Sequence, residues 1–244
     1  MSGATYDLLV IGAIVLASSI VNGAIGAGGI FILLSSLVYF FGVDKAIPLL
    51  PLLAAGSIIS RVILYRDYIE WPNIRKFGGG AALGALLGVP LFAWLSSETV
   101  GMLLGGFLII NTLWPSKPSS SGTQPRFVIV GAIHTAVSSV VGAGSILQSI
   151  LIRAKTERKA MIGTVAACTL VMEVFKISGY LALGFNYSTY IPHIVVATLT
   201  GYAGTWAGRH LGTLISEVFF RRLVSIIIVC SAIQILLDSS GFLN

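Results

Sequence analysis

Two glycine-rich motifs interrupt long apolar stretches of this chain at corresponding places. They read Gly26-Ala27-Gly28-Gly29 and Gly142-Ala143-Gly144-Ser145. A helix that restarts after a glycine break presents unpaired N–H groups and about half a positive charge at its N-terminus. Bare backbone also lets an anion approach such an end closely. The motifs therefore predict two anion-binding helix ends, although glycines that serve only helix packing would give the same pattern.

Polar side chains flank both motifs. Asn22 precedes the first motif, Ser138 and Ser139 precede the second, and Ser145 and Gln148 lie at and just after the second. Their amide and hydroxyl groups could donate hydrogen bonds to an anion. They could equally satisfy backbone groups that a break leaves unpaired in an apolar environment. The sequence favours neither role over the other.

Two basic residues, Arg61 and Lys176, stand inside apolar segments, 33 and 32 residues after the third residue of their respective motifs. Charge within a membrane segment is costly and by default indicates function. For Arg61 the alternative is a side chain that reaches the membrane surface. For Lys176 it is a local ion pair with Glu173, one helical turn earlier. Glu173 and His134 are also candidates for proton coupling, and His134 could instead make a contact within the bundle.

The composition is that of a polytopic membrane protein. Of 244 residues, 56% are hydrophobic and 10% are charged, against about 25% charged in soluble domains. The net charge of +6 comes mostly from segment ends, where basic residues orient membrane proteins, so nucleic-acid binding is not predicted. Cys168 and Cys230 lie in apolar segments without a CxxC pattern, so neither a disulfide nor a metal site is predicted.

Eight apolar segments are predicted to position these residues. They run at about 7–41, 46–65, 77–95, 99–114, 127–152, 159–184, 189–208 and 218–237. As one helix the first would be about 52 Å long, too long for a simple span, so the chain is predicted to fold back at Gly26–Gly29. A Pro- and Ser-rich linker at 115–126 separates an N-terminal repeat, 1–114, from a C-terminal repeat, 127–244.

The two halves share more than the glycine break. Asp44-Lys45-Ala46 precedes the second segment of one half, and Glu157-Arg158-Lys159-Ala160 precedes that of the other. Each third segment carries glycines four residues apart, a pattern that lets helices pack closely in lipid. These ladders are Gly80, Gly84 and Gly88 in one half and Gly204, Gly208 and Gly212 in the other.

The distribution of Lys and Arg favours an inverted repeat. If all eight segments cross the membrane, the basic loop residues divide eight to five between the two sides. If the first segment of each half is a re-entrant hairpin, twelve lie on one side and only Lys45 on the other. The second division fits the positive-inside rule far better. We therefore predict an all-α fold with six full spans, two broken re-entrant helices and both termini outside the cytoplasm.

Several motifs in this order resemble those of the TauE/SafE sulfite exporter family. They are the Gly26-Ala27-Gly28-Gly29 break, the Asp44-Lys45-Ala46 connection, Pro48 and Pro51, the turn Arg66-Asp67-Tyr68-Ile69-Glu70-Trp71, and the first glycine ladder. The resemblance covers nearly the whole chain and implies export of sulfite or a small organosulfonate across the plasma membrane. Ser145 departs from the family pattern, in which a glycine is more typical.

The predicted function is therefore a secondary transporter for a small sulfur-containing anion, embedded in the lipid bilayer. The candidate binding residues are Asn22, Gly26, Gly28, Gly29, Ser138, Gly142, Gly144, Ser145, Arg61 and Lys176. No catalytic, metal or cofactor motif occurs, so an intramembrane enzyme is a weaker alternative than a carrier or channel for another small anion. The sequence is also compatible with a homo-oligomer.

Overall fold

A computed structural model describes residues 3–26, 28–113, 126–153, 157–211 and 217–240, and these residues form helices without any strand. The helices are α1 (Gly3–Ile25), α2 (Gly29–Phe41), α3 (Val43–Leu53), α4 (Ala55–Leu64), α5 (Trp71–Trp94), α6 (Ser97–Leu113), α7 (Phe127–Val141), α8 (Ile146–Arg153), α9 (Arg158–Ala182), α10 (Ile191–Leu211) and α11 (Glu217–Ser239). The predicted linker, apart from Arg126, lies outside the described residues, so the division into two repeats stays a prediction.

The fold is that of an all-α membrane protein. Within the described residues, four helical stretches are long and apolar enough to cross a membrane: Tyr6–Ile25, Val43–Leu64, Trp71–Trp94 and Arg158–Ala182. The second combines α3 and α4, which meet at Ala54 after Pro48 and Pro51 have removed two backbone donors. At 1.5 Å per residue its 22 residues cover about 33 Å, close to the thickness of the hydrocarbon core.

Both glycine motifs break a helix, and the first turns the chain back. Gly26, Gly28 and Gly142 have φ angles of +85°, +92° and +78°, which other residues rarely adopt. After the first break Gly29 lies directly against the carbonyl of Ser18, eleven residues earlier. A continuous helix would place these two residues about 16 Å apart. The predicted reversal of the first segment is therefore present in the fold.

The glycine ladder of α5 packs against α7. A Cβ added to Gly80 or Gly84 would overlap the carbonyl oxygen of Val128 or Ala132, and one on Gly88 would lie 2.6 Å from the carbonyl oxygen of Ala136. The partner residues advance along α7 as the glycines advance along α5, so the two helices run parallel. The close approach explains the glycines, since any side chain would push the backbones apart.

The same arrangement joins α10 to α1. A Cβ on Gly204 would lie 2.6 Å from the carbonyl oxygen of Leu16, and one on Gly208 would overlap the carbonyl oxygen of Ile20. Gly212, the third member of this predicted ladder, lies outside the described residues. The first helix of each half thus packs in parallel on the third segment of the other half.

The turns gather at two ends of the helix bundle. At one end, called the basic end here, Lys159 Nζ lies 3.3 Å from Tyr68 Oη, and the guanidinium of Arg209 lies 5.7 Å from the ring centre of Tyr65. At the opposite end Ser97 Oγ donates to the Asp44 carboxylate at 2.7 Å.

Eight straight crossings would put the turn at 66–76 and the start of α9 at opposite ends, whereas the structure places them together. The contacts are those that an inverted repeat requires. The inversion itself, and the side of the membrane that each end faces, stay predictions.

Candidate functional site

The two glycine breaks line one cavity between the helices. Its walls include Gly26 and Gly28 from the first break and Gly142 and Gly144 from the second, and its volume is about 70 Å³. A water molecule needs at least about 10–15 Å³ of such space, so the cavity holds a few waters or one small oxyanion. Two breaks 116 residues apart in sequence therefore contribute to a single site.

The first restarted helix, α2, begins at this cavity and is capped by Asn22. The backbone N–H of Gly29 donates to Asn22 Oδ1 at 3.0 Å, and Phe31 N–H donates to the carbonyl of Gly28 at 3.1 Å. Asn22 therefore satisfies a backbone donor that the break exposes, which was one of the two roles open in the sequence. Its side chain also lines the cavity, whereas Gly29 does not.

Arg61 brings a positive charge to the cavity wall. It lies on α4, is 8% exposed, and donates from Nε to the carbonyl of Ser57 at 3.4 Å. Among the described residues, no carboxylate lies within 4.0 Å of its guanidinium. A buried cation without an anionic partner is costly. A bound anion would compensate this charge.

Lys176 occupies the near-equivalent position in the second half but is neutralised. Its side chain is fully buried, and Nζ lies 3.0 Å from Glu173 Oε2. Nζ also donates to the carbonyl of Gly142 at 3.3 Å. Lys176 does not line the cavity. Its contacts tie α9 to the second break, so the local ion pair considered from the sequence is present.

Glu173 and His134 complete the titratable groups at the cavity. A Cβ on Gly144 would lie 2.7 Å from His134 Cε1, so the imidazole fills the space that this glycine leaves open. His134 Nδ1 is buried and has no hydrogen-bond partner among the described residues. A buried nitrogen without a partner is an available contact for a ligand or a water molecule in the cavity.

The serines around the second break have other partners. Ser138 Oγ donates to the carbonyl of Thr135 at 3.1 Å and lies 3.2 Å from the sulfur of Met172. Ser145 Oγ donates to Asn111 Oδ1. Neither serine lines the cavity. In this conformation both hydroxyls hold the helices around the break in place, and a role in anion binding stays a prediction for them.

The cavity also includes a residue that the sequence analysis did not identify. Thr169 lines it from α9, together with Val165, Met172 and Glu173. These residues follow one another at intervals of three or four and so share one face of the helix. That spacing is visible in the sequence, but nothing there indicates that this face meets the glycine breaks.

Comparison with known families gives one match. The family described as sulfite exporter TauE/SafE matches residues 10–235 of the 244-residue chain. The match therefore includes both glycine breaks, Arg61 and the α9 face of the cavity. No curated protein and no solved structure matches the chain.

Proposed function

Since the chain belongs to the TauE/SafE sulfite exporter family, we propose that it is a secondary transporter that carries a small sulfur oxyanion outward across the plasma membrane. The cavity between the glycine breaks is the proposed binding site. A family of transporters implies transport and not catalysis as the activity of this chain. A cavity of about 70 Å³ accommodates a small oxyanion, and the family indicates sulfite or a small organosulfonate as the proposed substrate.

The observation that carries this proposal is the environment of Arg61. The residue is buried at the cavity wall, and no carboxylate in the described part of the chain neutralises it. The N-terminus of α2 adds the partial positive charge of a helix end at the same cavity. An anion placed here compensates a buried charge, which a neutral or cationic substrate would not do.

The packing of the helices supports alternating access. The pairs α1–α10 and α5–α7 are held together by close backbone contacts at glycines. Each pair joins one helix from each half and can move as a rigid unit about the cavity, in the way that helix bundles of secondary transporters rock about a fixed site. If the basic end faces the cytoplasm, as the positive-inside rule predicts, an inside-negative potential favours export by about 2.3 kcal/mol per charge per 100 mV.

The test is sulfite flux in proteoliposomes under an imposed potential. Arg61→Gln removes the charge but keeps a polar, hydrogen-bonding side chain, shorter than arginine by two atoms. A hydrogen bond to a charged group contributes about 1.5–3 kcal/mol, so we expect sulfite binding to weaken by about 10- to 150-fold. The matched control is Arg66→Gln, an exposed arginine next to Asp67 outside the cavity, which should transport like the wild type.

Two results would contradict the proposal. Wild-type protein that carries neither sulfite nor another sulfur oxyanion would rule out the proposed activity. An Arg61→Gln protein with wild-type flux would leave the activity but remove the cavity as its binding site.

A further inference from the structure

A second pocket opens at the basic end of the bundle. Its volume is about 210 Å³, three times that of the central cavity. It is lined by the end of α1, the end of α4, the following 3₁₀ turn, the start of α9 and the end of α10. Its charged lining residues are Arg158, Lys159 and Arg209, and none of its described lining residues is acidic.

These three cations are positioned by neutral groups. Arg158 Nη2 donates to the carbonyl of Ala24 at 2.9 Å. Lys159 Nζ lies 3.3 Å from Tyr68 Oη and 5.0 Å from its ring centre. Arg209 stacks over Tyr65. Among the described residues no carboxylate pairs with any of the three, so their charges combine in one field at the pocket.

The pocket adjoins the central cavity along three helices. On α1 the pocket is lined by Ala24, and Gly26, which follows the helix, lines the cavity. On α4 the corresponding residues are Leu64 and Arg61, one turn apart. On α9 the last pocket residue, Ile162, and the first cavity residue, Val165, are also about one turn apart.

Ile162 is the pocket residue of α9 that lies nearest to the cavity in sequence. Its Cγ1 would lie 2.8 Å from a Cβ on Gly26, so its side chain packs against the backbone of the first break. Ile162 lines the pocket on one side of this contact, and Gly26 lines the cavity on the other. The apolar side chain of Ile162 therefore lies between the basic pocket and the proposed substrate site.

We propose that this pocket is the capture site for the outgoing anion, and that Ile162 is the gate between it and the cavity. The inference rests on the proposed function. Clefts lined by charge of one sign concentrate the opposite ion and raise association rates by about 10–1,000-fold. An anion gathered by Arg158, Lys159 and Arg209 would pass Ile162 to reach Arg61. The phosphate of a lipid head group has similar chemistry, and the experiment separates it from a soluble anion.

The first measurement does not depend on transport. Leu64→Cys places a thiol in the pocket, in a Cys230→Ala background that removes the exposed native cysteine. With each rate divided by the same reagent's rate toward a small free thiol, we expect an anionic thiosulfonate reagent to modify this cysteine at least about tenfold faster than a cationic one. The preference should disappear in the triple variant R158Q/K159Q/R209Q. It should persist in R66Q/R75Q/K76Q, which loses the same charge from outside the pocket.

The second measurement is the KM for sulfite presented at the basic end. The pocket triple variant should raise KM by about tenfold with little change in kcat, and high salt should remove the difference from wild type. The control triple variant should keep the wild-type KM.

The outcomes separate the two proposals. Absence of sulfite flux in the wild type would overturn the proposed function. Equal modification rates for the two reagents after division by their rates toward a free thiol, or an unchanged KM in the pocket triple variant, would overturn the capture site. Protection of Leu64→Cys by phosphatidylglycerol vesicles relative to phosphatidylcholine vesicles, without protection of Arg75→Cys, would assign the pocket to a lipid and also overturn it.

Discussion

Replacement of Lys176 should destabilise the protein because it leaves the carboxylate of Glu173 buried without a positive partner. In the variant Lys176→Met the Glu173 carboxylate, 6% exposed, loses the ammonium group 3.0 Å away. Removal of one member of a buried ion pair costs about 3–5 kcal/mol because the remaining charge stays uncompensated. The carbonyl of Gly142 also loses its hydrogen bond from Nζ.

The double variant K176M/E173Q tests this reason directly. It removes both charges, and replacement of a buried ion pair by uncharged side chains of similar volume changes the free energy of unfolding little. We therefore expect most of the lost free energy of unfolding to return, apart from the contribution of the hydrogen bond to Gly142. Arg61→Met is the matched control, because it deletes the near-equivalent cation, which has no carboxylate partner among the described residues.

The assay is thermal unfolding of the purified protein in detergent. At about 2–4 °C per kcal/mol for a chain of this size, Lys176→Met should lower Tm by about 6–20 °C. Arg61→Met should unfold at or above the wild-type temperature, because it removes a buried charge that has no carboxylate partner among the described residues, while losing sulfite flux. The reasoning is refuted if Lys176→Met is no less stable than Arg61→Met, or if the double variant is no more stable than Lys176→Met.

Two further predictions concern the packing and the cavity. Gly80→Ala should destabilise the protein by about 1–3 kcal/mol because its Cβ overlaps the carbonyl oxygen of Val128. The control Gly79→Ala, with nothing within 4 Å of its Cβ, should raise the free energy of unfolding by up to about 1 kcal/mol. Equal unfolding temperatures for the two variants would contradict this. Asn22→Asp should keep the hydrogen bond from the Gly29 N–H and the wild-type Tm. It should lower sulfite flux at least about tenfold, because the new carboxylate repels the anion and offsets the positive charge of Arg61 in the cavity. Wild-type flux would contradict this prediction.

The helical segments and the family were predicted correctly from the sequence. The predicted segment 159–184 corresponds to α9, Arg158–Ala182, and 77–95 corresponds to most of α5, Trp71–Trp94. Such runs are readable because every residue of a membrane helix faces lipid or packed protein, so hydrophobicity marks its length. The resemblance to the TauE/SafE family is confirmed by the match over residues 10–235.

The roles of single polar residues were not predictable in the same way. Arg61 and Lys176 stand at near-equivalent sequence positions, yet only Arg61 reaches the cavity without a carboxylate beside it. Ser138 and Ser145 stand beside the second break, but their hydroxyls bond elsewhere. Thr169 lines the cavity, but no motif or charge pattern in the sequence identified it as a site residue. A hydrogen-bond partner depends on the rotation and neighbours of each helix, which local spacing does not specify.

The sequence by itself determined what depends on local composition. It specified which segments are apolar enough for a membrane and which family the chain resembles. It also specified where a helix breaks, because the breaks need positive φ angles that glycine adopts readily. Only the tertiary structure placed Arg61 at the cavity wall, paired Lys176 with Glu173 away from it, and gathered Arg158, Lys159 and Arg209 at one pocket. The physical reason is that a binding site is a meeting of distant segments, and its charge balance depends on which side chains face each other once the helices have packed.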